Sequence, residues 1–291
     1  MLKPRFATAE TTLVRGWIWA ALAVAAALVL APAARADTSQ SINWAGYAVH
    51  RAGVSFHQVS ASWTQPTASC TRGEETFSAY WVGLGGFSEK SNSLEQIGTE
   101  ADCGIGGVPI LSAWYEVIPA GPRTIGITVR AGDRISASVT VVGHQLTLSL
   151  TDASRHRGFS RTLRAPAVDV SSAEWIVEAP LGCAVTIASC QNLPLANFGA
   201  AMFRAARAVG SKGHSGSISS PRWRATRINM SPRGRQPADY GGYGMAVGLA
   251  DPSPLQVGGS AFTVTFTPMA VPGYLARAPR SAAAAPGRRF H

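Results

Sequence analysis

The sequence predicts an all-β protein, a β-sandwich of two mostly antiparallel sheets. Three observations carry this. Apolar and polar residues alternate with period two over several short runs. Gly- or Asp-containing turn signals separate the runs. No long 3.6-residue periodicity follows residue 36, apart from one ambiguous stretch near residues 200–209. Many short strands with frequent turns pack as a sandwich, and a chain of this length is long enough to bury a large core.

In chain order, residues 54–63 read as a strand. Residues 125–130, 134–142 and 145–150 follow as three more, joined by turns at Ala131-Gly132-Asp133 and Gly143-His144. Residues 173–177 are a strand, and residues 181–192 form a hairpin loop. The ambiguous stretch is read as a strand over 198–203 that gives way to a loop from Arg204. Residues 260–266 close the domain.

The N-terminal 36 residues read as a secretory signal peptide. Lys3, Arg5 and Arg15 precede an apolar run over residues 16–31, and Ala34-Arg35-Ala36 offers small residues at a cleavage site before Asp37. The run is shorter than the roughly 20 apolar residues of a membrane span. The expected product is a secreted, extracellular protein (periplasmic in a host with an outer membrane), free of the membrane after cleavage. A domain at residues 37–267 and a disordered Ala/Pro/Arg-rich tail at 268–291 complete the division.

The full chain carries a formal charge of +10, with arginines grouped in residues 155–164, 204–235 and 277–289. No nucleic-acid motif accompanies them, so they are read as a solvated cationic face suited to anionic surfaces, with no nucleic-acid partner. Cys70, Cys103, Cys183 and Cys190 are even in number and in an oxidising compartment, which calls for disulfides. Of three pairings, Cys70–Cys103 and Cys183–Cys190 are favoured. The spacings do not suit zinc, and no metal site is expected.

Chemistry concentrates in five segments: residues 43–47 (NWAGY), 80–86 (YWVGLGG), 94–99 (LEQIGT), 113–116 (AWYE) and 173–178 (AEWIVE). Together they resemble the glutamic peptidases called eqolisins (peptidase family G1, formerly A4), over about residues 41–266. The resemblance implies two large sheets packed face to face, similar to the concanavalin-type lectin jelly roll. It implies a Gln/Glu catalytic dyad, expected here as Gln96 and Glu174, acting on protein or peptide substrates without a cofactor. Glu174 would be general base and then general acid, and Gln96 would orient the water and donate to the oxyanion. Trp44, Trp114, Glu116 and Glu100 match residues lining the family's substrate cleft, and Trp81 is placed to donate its indole N–H near the dyad. Trp81 and Trp175 are each read as core as readily as cleft.

The chain departs from the fungal members of that family. Gly85 and Ser112 stand where those carry Asp, and Ile118 where they carry Tyr. With fewer carboxylates nearby, the base is expected to have a lower pKa than in those relatives, with activity still in the acid range. The enzyme is expected to be a monomer. A non-catalytic, lectin-like binder of polysaccharide or peptide is the alternative reading. Other chemistries fit less well. Glu174 and Glu178 lie about 13 Å apart along one strand, too far for a retaining glycosidase pair. Gly213-His214-Ser215-Gly216-Ser217 lacks the strand-to-helix setting of a serine nucleophile.

Overall fold

The computed structural model describes residues 36–165, 168–183, 190–232, 248–256 and 258–268, with the side chains of residues 183, 190 and 191 left aside. Residues 1–35, within the segment read above as a signal peptide, and nearly all of residues 268–291 fall outside the described residues.

Two eight-stranded sheets dominate the fold. The first runs β1 (Asp37–Ser41), β16 (Arg224–Met230), β2 (Trp44–His50), β11 (Ser172–Glu178), β4 (Ala79–Gly85), β5 (Leu94–Cys103), β6 (Pro109–Val117), β7 (Ala120–Ile125). The second runs β10 (Arg157–Arg164), β9 (Gln145–Asp152), β8 (Arg134–Val142), β3 (Phe56–Thr64), β14 (Ala200–Gly210), β18 (Phe262–Thr267), β17 (Leu249–Pro252), with β15 (Ser215–Ser217) added to β14. A small hairpin joins β12 (Leu181–Cys183) to β13 (Cys190–Asn192). Pairing between the named strands is antiparallel except for β1 with β16.

The alternation seen in sequence becomes one buried and one open face in the second sheet. In β8, Ile135, Ala137, Val139 and Val141 are buried and their neighbours face outward. The central strands of the first sheet are buried on both faces instead: β2, β4 and β11 show almost no exposed position. One face packs on the second sheet. Trp175 donates its indole N–H to the Ser60 carbonyl (2.9 Å), Trp63 donates to the Thr99 hydroxyl (3.0 Å), and Tyr47 meets Phe262 edge-on at 4.8 Å. Trp175 is thus core. The opposite face of the sheet carries Trp44, Trp81, Trp114, Leu94, Ile176 and Ile228, with Phe87 packed against them.

Residues 125–130 do not form the expected strand. The strand lies one segment earlier, at Ala120–Ile125, and only Ile125 of it is buried. An exposed edge strand has no inner face to impose alternation, so its pattern was silent. β14 likewise runs through Arg204 to Gly210, with a register shift between Arg204 and Arg207 and a positive φ of 50° at Ala205. The bulge breaks the period-two pattern, which is why the sequence read as a loop from that point. Cys70 and Cys103 form a disulfide. Backbone register sets Cys183 opposite Cys190 across the β12–β13 hairpin, while the bond expected between their side chains lies outside the described residues.

Candidate active site

The face of the first sheet turned away from the second opens into a cleft of about 530 Å3. Gln96, Glu100, Trp114, Glu116, Trp44, Asn43 and Glu178 line its floor. The β6–β7 turn and the start of β7, from Ile118 to Pro122, form one wall, and Pro180 and Leu181 contribute on the side of β12. Period-two geometry explains the gathering. Gln96 sits directly opposite Glu116 in the β5–β6 ladder, and Trp114 opposite Gly98, so all four positions share a face. Gly98 is required there, because a Cβ would stand 2.1 Å from the Tyr80 carbonyl oxygen and 2.7 Å from the Trp81 Cβ.

Gln96 donates its Nε2–H to Glu116 Oε2 at 2.7 Å. This bond fixes which end of the amide is nitrogen. The second N–H of that group remains to be offered to a ligand, and Gln96 Oε1 has no protein partner. Trp114 also lines the cleft, but its indole N–H is buried and has no protein partner. Glu178 is held by two donors: Trp81 Nε1–H to Oε2 at 2.7 Å and Asn43 Nδ2–H to Oε1 at 3.1 Å. Trp81 meets Trp44 edge-on at 4.9 Å, which orients its indole. Ser112 donates its hydroxyl to Glu100.

Both glutamates near Gln96 bind protons more tightly than a free glutamate does. Burial, opposed by the Gln96 bond, pushes Glu116 up to about 7. Burial first, and then the Glu116 charge, push Glu178 up to about 8, against the pull of Trp44, Trp81 and Asn43.

Glu174 has a different setting. Register puts it in one row with Gly83 and Gln96, on the expected face and one strand removed. The space above Gly83 is filled, however. A Cβ there would meet Trp81 Cζ3 at 2.9 Å and Leu94 Cδ1 at 3.1 Å. Trp81 and Leu94 therefore stand between Glu174 and Gln96. Glu174 is 0 % exposed, both its oxygens lack a protein partner, and it is absent from the cleft lining. Burial drives its pKa well up, and the charges of Asp169 and Glu95 add to the rise.

Of the residues expected at the site, Gln96, Trp44, Trp114, Glu116 and Glu100 come together, and Trp81 supplies the anticipated indole N–H. Glu174 does not join them. Glu178 faces the cleft instead, with Asn43 donating to it. Strand parity puts both glutamates on the cleft face, so no local signal chose between them. At Gly85 (φ +81°) a Cβ would meet Asp169 at 2.7 Å, which accounts for the missing Asp at that position. Among the described residues no group of His, Cys, Asp and Glu is arranged to hold a metal ion.

No curated protein matches the chain in sequence. Solved structures do. Scytalido-glutamic peptidase with a peptide-based transition state analog superposes with a TM-score of 0.61 at 23% identity, covering 77% of this chain and 98% of that one. SCP-B, a member of the eqolisin family of peptidases in a complex with the tripeptide Ala-Ile-His, superposes with a TM-score of 0.58 at the same identity and coverage. These likenesses fix the fold as the eqolisin β-sandwich. Residues 42–239 match the Peptidase A4 family, and the chain belongs to that family, the glutamic peptidases or eqolisins.

Proposed function

We propose that this glutamic peptidase cleaves peptide bonds with Gln96 and Glu178, rather than Glu174, as its dyad. The observation that carries the reading is the cleft itself. Glu178 faces it, held by two neutral donors, while Glu174 is sealed behind Trp81 and Leu94. Glu178 in its ionised form takes a proton from water as the water attacks the scissile carbonyl. It then passes that proton to the leaving amine. The Gln96 N–H not engaged by Glu116 donates to the developing oxyanion. Glu116 is a positioning residue, since it prevents the amide from rotating. Trp44 and Trp114 offer apolar surface to an extended peptide.

Because Glu178 must be ionised to act as base, the acid limb of the pH profile lies above 4.5, the ordinary value for a glutamate. The charge and hydrophobicity pattern of residues 1–36 supports export of the enzyme.

The test is degradation of denatured casein across the acid and neutral range by wild type, Glu178→Gln, Glu174→Gln and Gln96→Ala. Glu178→Gln should lose at least about a thousandfold, Gln96→Ala about a hundredfold or more, and Glu174→Gln should stay within a few fold of wild type. Full activity in Glu178→Gln, or its loss only in Glu174→Gln, would return the role to Glu174.

A further inference from the structure

A second concavity adjoins the cleft. The β6–β7 turn from Ile118 to Gly121 lines the catalytic cleft on one side. On its other side it lines a groove of about 520 Å3, between the edge strands β7 and β10 of the two sheets. Pro119, Ala120 and Gly121 are exposed and form a low lip shared by the two.

The two spaces have opposite charge. The cleft lining includes Glu100, Glu116 and Glu178 and no Lys or Arg. The groove lining includes Arg123, Arg161 and Arg164 and no Asp or Glu. None of these three arginines meets a carboxylate within ion-pair distance among the described residues, where ion pairs involve only Arg155 and Arg224. Arg161 is also held in place. Its guanidinium lies 5.6 Å from the centre of the Tyr115 ring, and Tyr115 stacks on Phe159 at 5.7 Å. A guanidinium already positioned on an aromatic face loses less freedom when it binds a carboxylate. Tyr115 is next to Glu116, and Arg123 is its cross-strand neighbour in β7, so the groove is built on the same strands as the cleft.

We propose that this groove is a second substrate-binding site, which takes an acidic segment of the peptide whose scissile bond lies in the cleft. The inference rests on the peptidase reading above. A ribbon of sheet with its side chains is about 10 Å thick, and extended chain advances about 3.3 Å per residue. The acidic residues therefore lie about three to four positions from the scissile bond. A substrate with a neutral or basic core and an acidic flank matches both surfaces, and like charges are kept out of each.

The experiment uses fluorogenic peptides that share a core taken from a mapped casein cleavage site. The core is extended on either side by Asp-Asp, Asn-Asn or Lys-Lys beyond a three-residue spacer. The Asp-Asp extension on one side should raise kcat/KM about fivefold over Asn-Asn, as two exposed ion pairs would. The gain should appear in KM and vanish near 1 M salt, where the screening length is about 3 Å. The variant Arg123→Gln/Arg161→Gln/Arg164→Gln should lose the preference while cleaving the Asn-Asn peptide as wild type does. Charge reversal in Arg123→Glu/Arg164→Glu should move the preference to the Lys-Lys peptide. Equal cleavage of all three extensions by wild type, or a preference that survives in the triple variant, overturns the second site and leaves the dyad untouched. Failure to cleave any peptide overturns the peptidase reading and the second site together.

Discussion

Replacing Glu95 with glutamine takes out a carboxyl that is fully buried, with neither oxygen in a hydrogen bond of normal geometry. Glu95 shares a strand face with Ile97 and Thr99, turned toward the second sheet. Burial is the main cause of its rise from 4.5 to about 8. The nearby Ser93 hydroxyl opposes the rise and the Asp169 charge adds to it. A carboxyl whose pKa is raised by folding holds its proton more tightly in the native state. Its contribution to stability is complete below about pH 4.5 and is lost as pH climbs toward 8. At pH 7 the loss spans about 2.5 pH units, which is about 3 kcal/mol. That is a large share of the roughly 5–15 kcal/mol that holds a typical domain folded. Glu95→Gln removes this one ionisation and keeps the shape. Urea unfolding followed by tryptophan fluorescence, at about pH 4 and about pH 7, reads the outcome. The stability of the variant relative to wild type should improve by about 3 kcal/mol between the two pH values. Glu174, Glu116 and Asp102, all raised by burial, push wild type in the same direction. His50, lowered by burial, pushes the other way. Of these only Glu174 feels the Glu95 charge, which helps to raise it, so losing that charge acts in the same direction, and a difference that stays constant with pH would refute the argument for Glu95.

Two substitutions beside Glu178 should move the acid limb of kcat/KM in opposite directions. Glu116→Gln removes the charge that raises Glu178 and should shift the limb to lower pH, with a fall in kcat because the bond that anchors Gln96 loses its charge assistance. Trp81→Phe removes a donor that favours the ionised form and should shift it to higher pH; limbs that fail to move would separate Glu178 from the pH profile. The Cys70–Cys103 disulfide closes a loop with a sequence separation of 33. Its removal in Cys70→Ser/Cys103→Ser should cost about 4 kcal/mol in urea unfolding, and an unchanged midpoint would show that the bond adds little.

Legibility in the sequence followed burial. β8 was readable to the residue because one of its faces is buried and the other open. β3, β9 and β18 were readable to within one or two residues at their ends, for the same reason, and β11, buried on both faces, was readable from its motif. β7 was not, since it is an edge strand with almost nothing buried, and β14 was cut short by its bulge. At the site, motif and parity together found Gln96, Trp44, Trp114, Glu116 and Glu100. They could not separate Glu174 from Glu178, because both project from the same face of β11. What separates them is a tertiary fact, the packing of Trp81 and Leu94 over Gly83. Pairing of Asp37–Ser41 with Arg224–Met230 was equally invisible, as it joins segments nearly two hundred residues apart that carry little apolar pattern.

That packing makes Gly83 a control point for chemistry it never touches. The indole that presses on Gly83 at one edge holds Glu178 by its N–H. Even a methyl group at position 83 would force the ring aside and carry the N–H with it. The same displacement would open a seam between the two glutamates, letting cleft water reach a carboxyl that is now dry. The absence of one side chain thus lets a single strand present two identical residues in different settings, one facing the cleft as the proposed base and the other shut in the core.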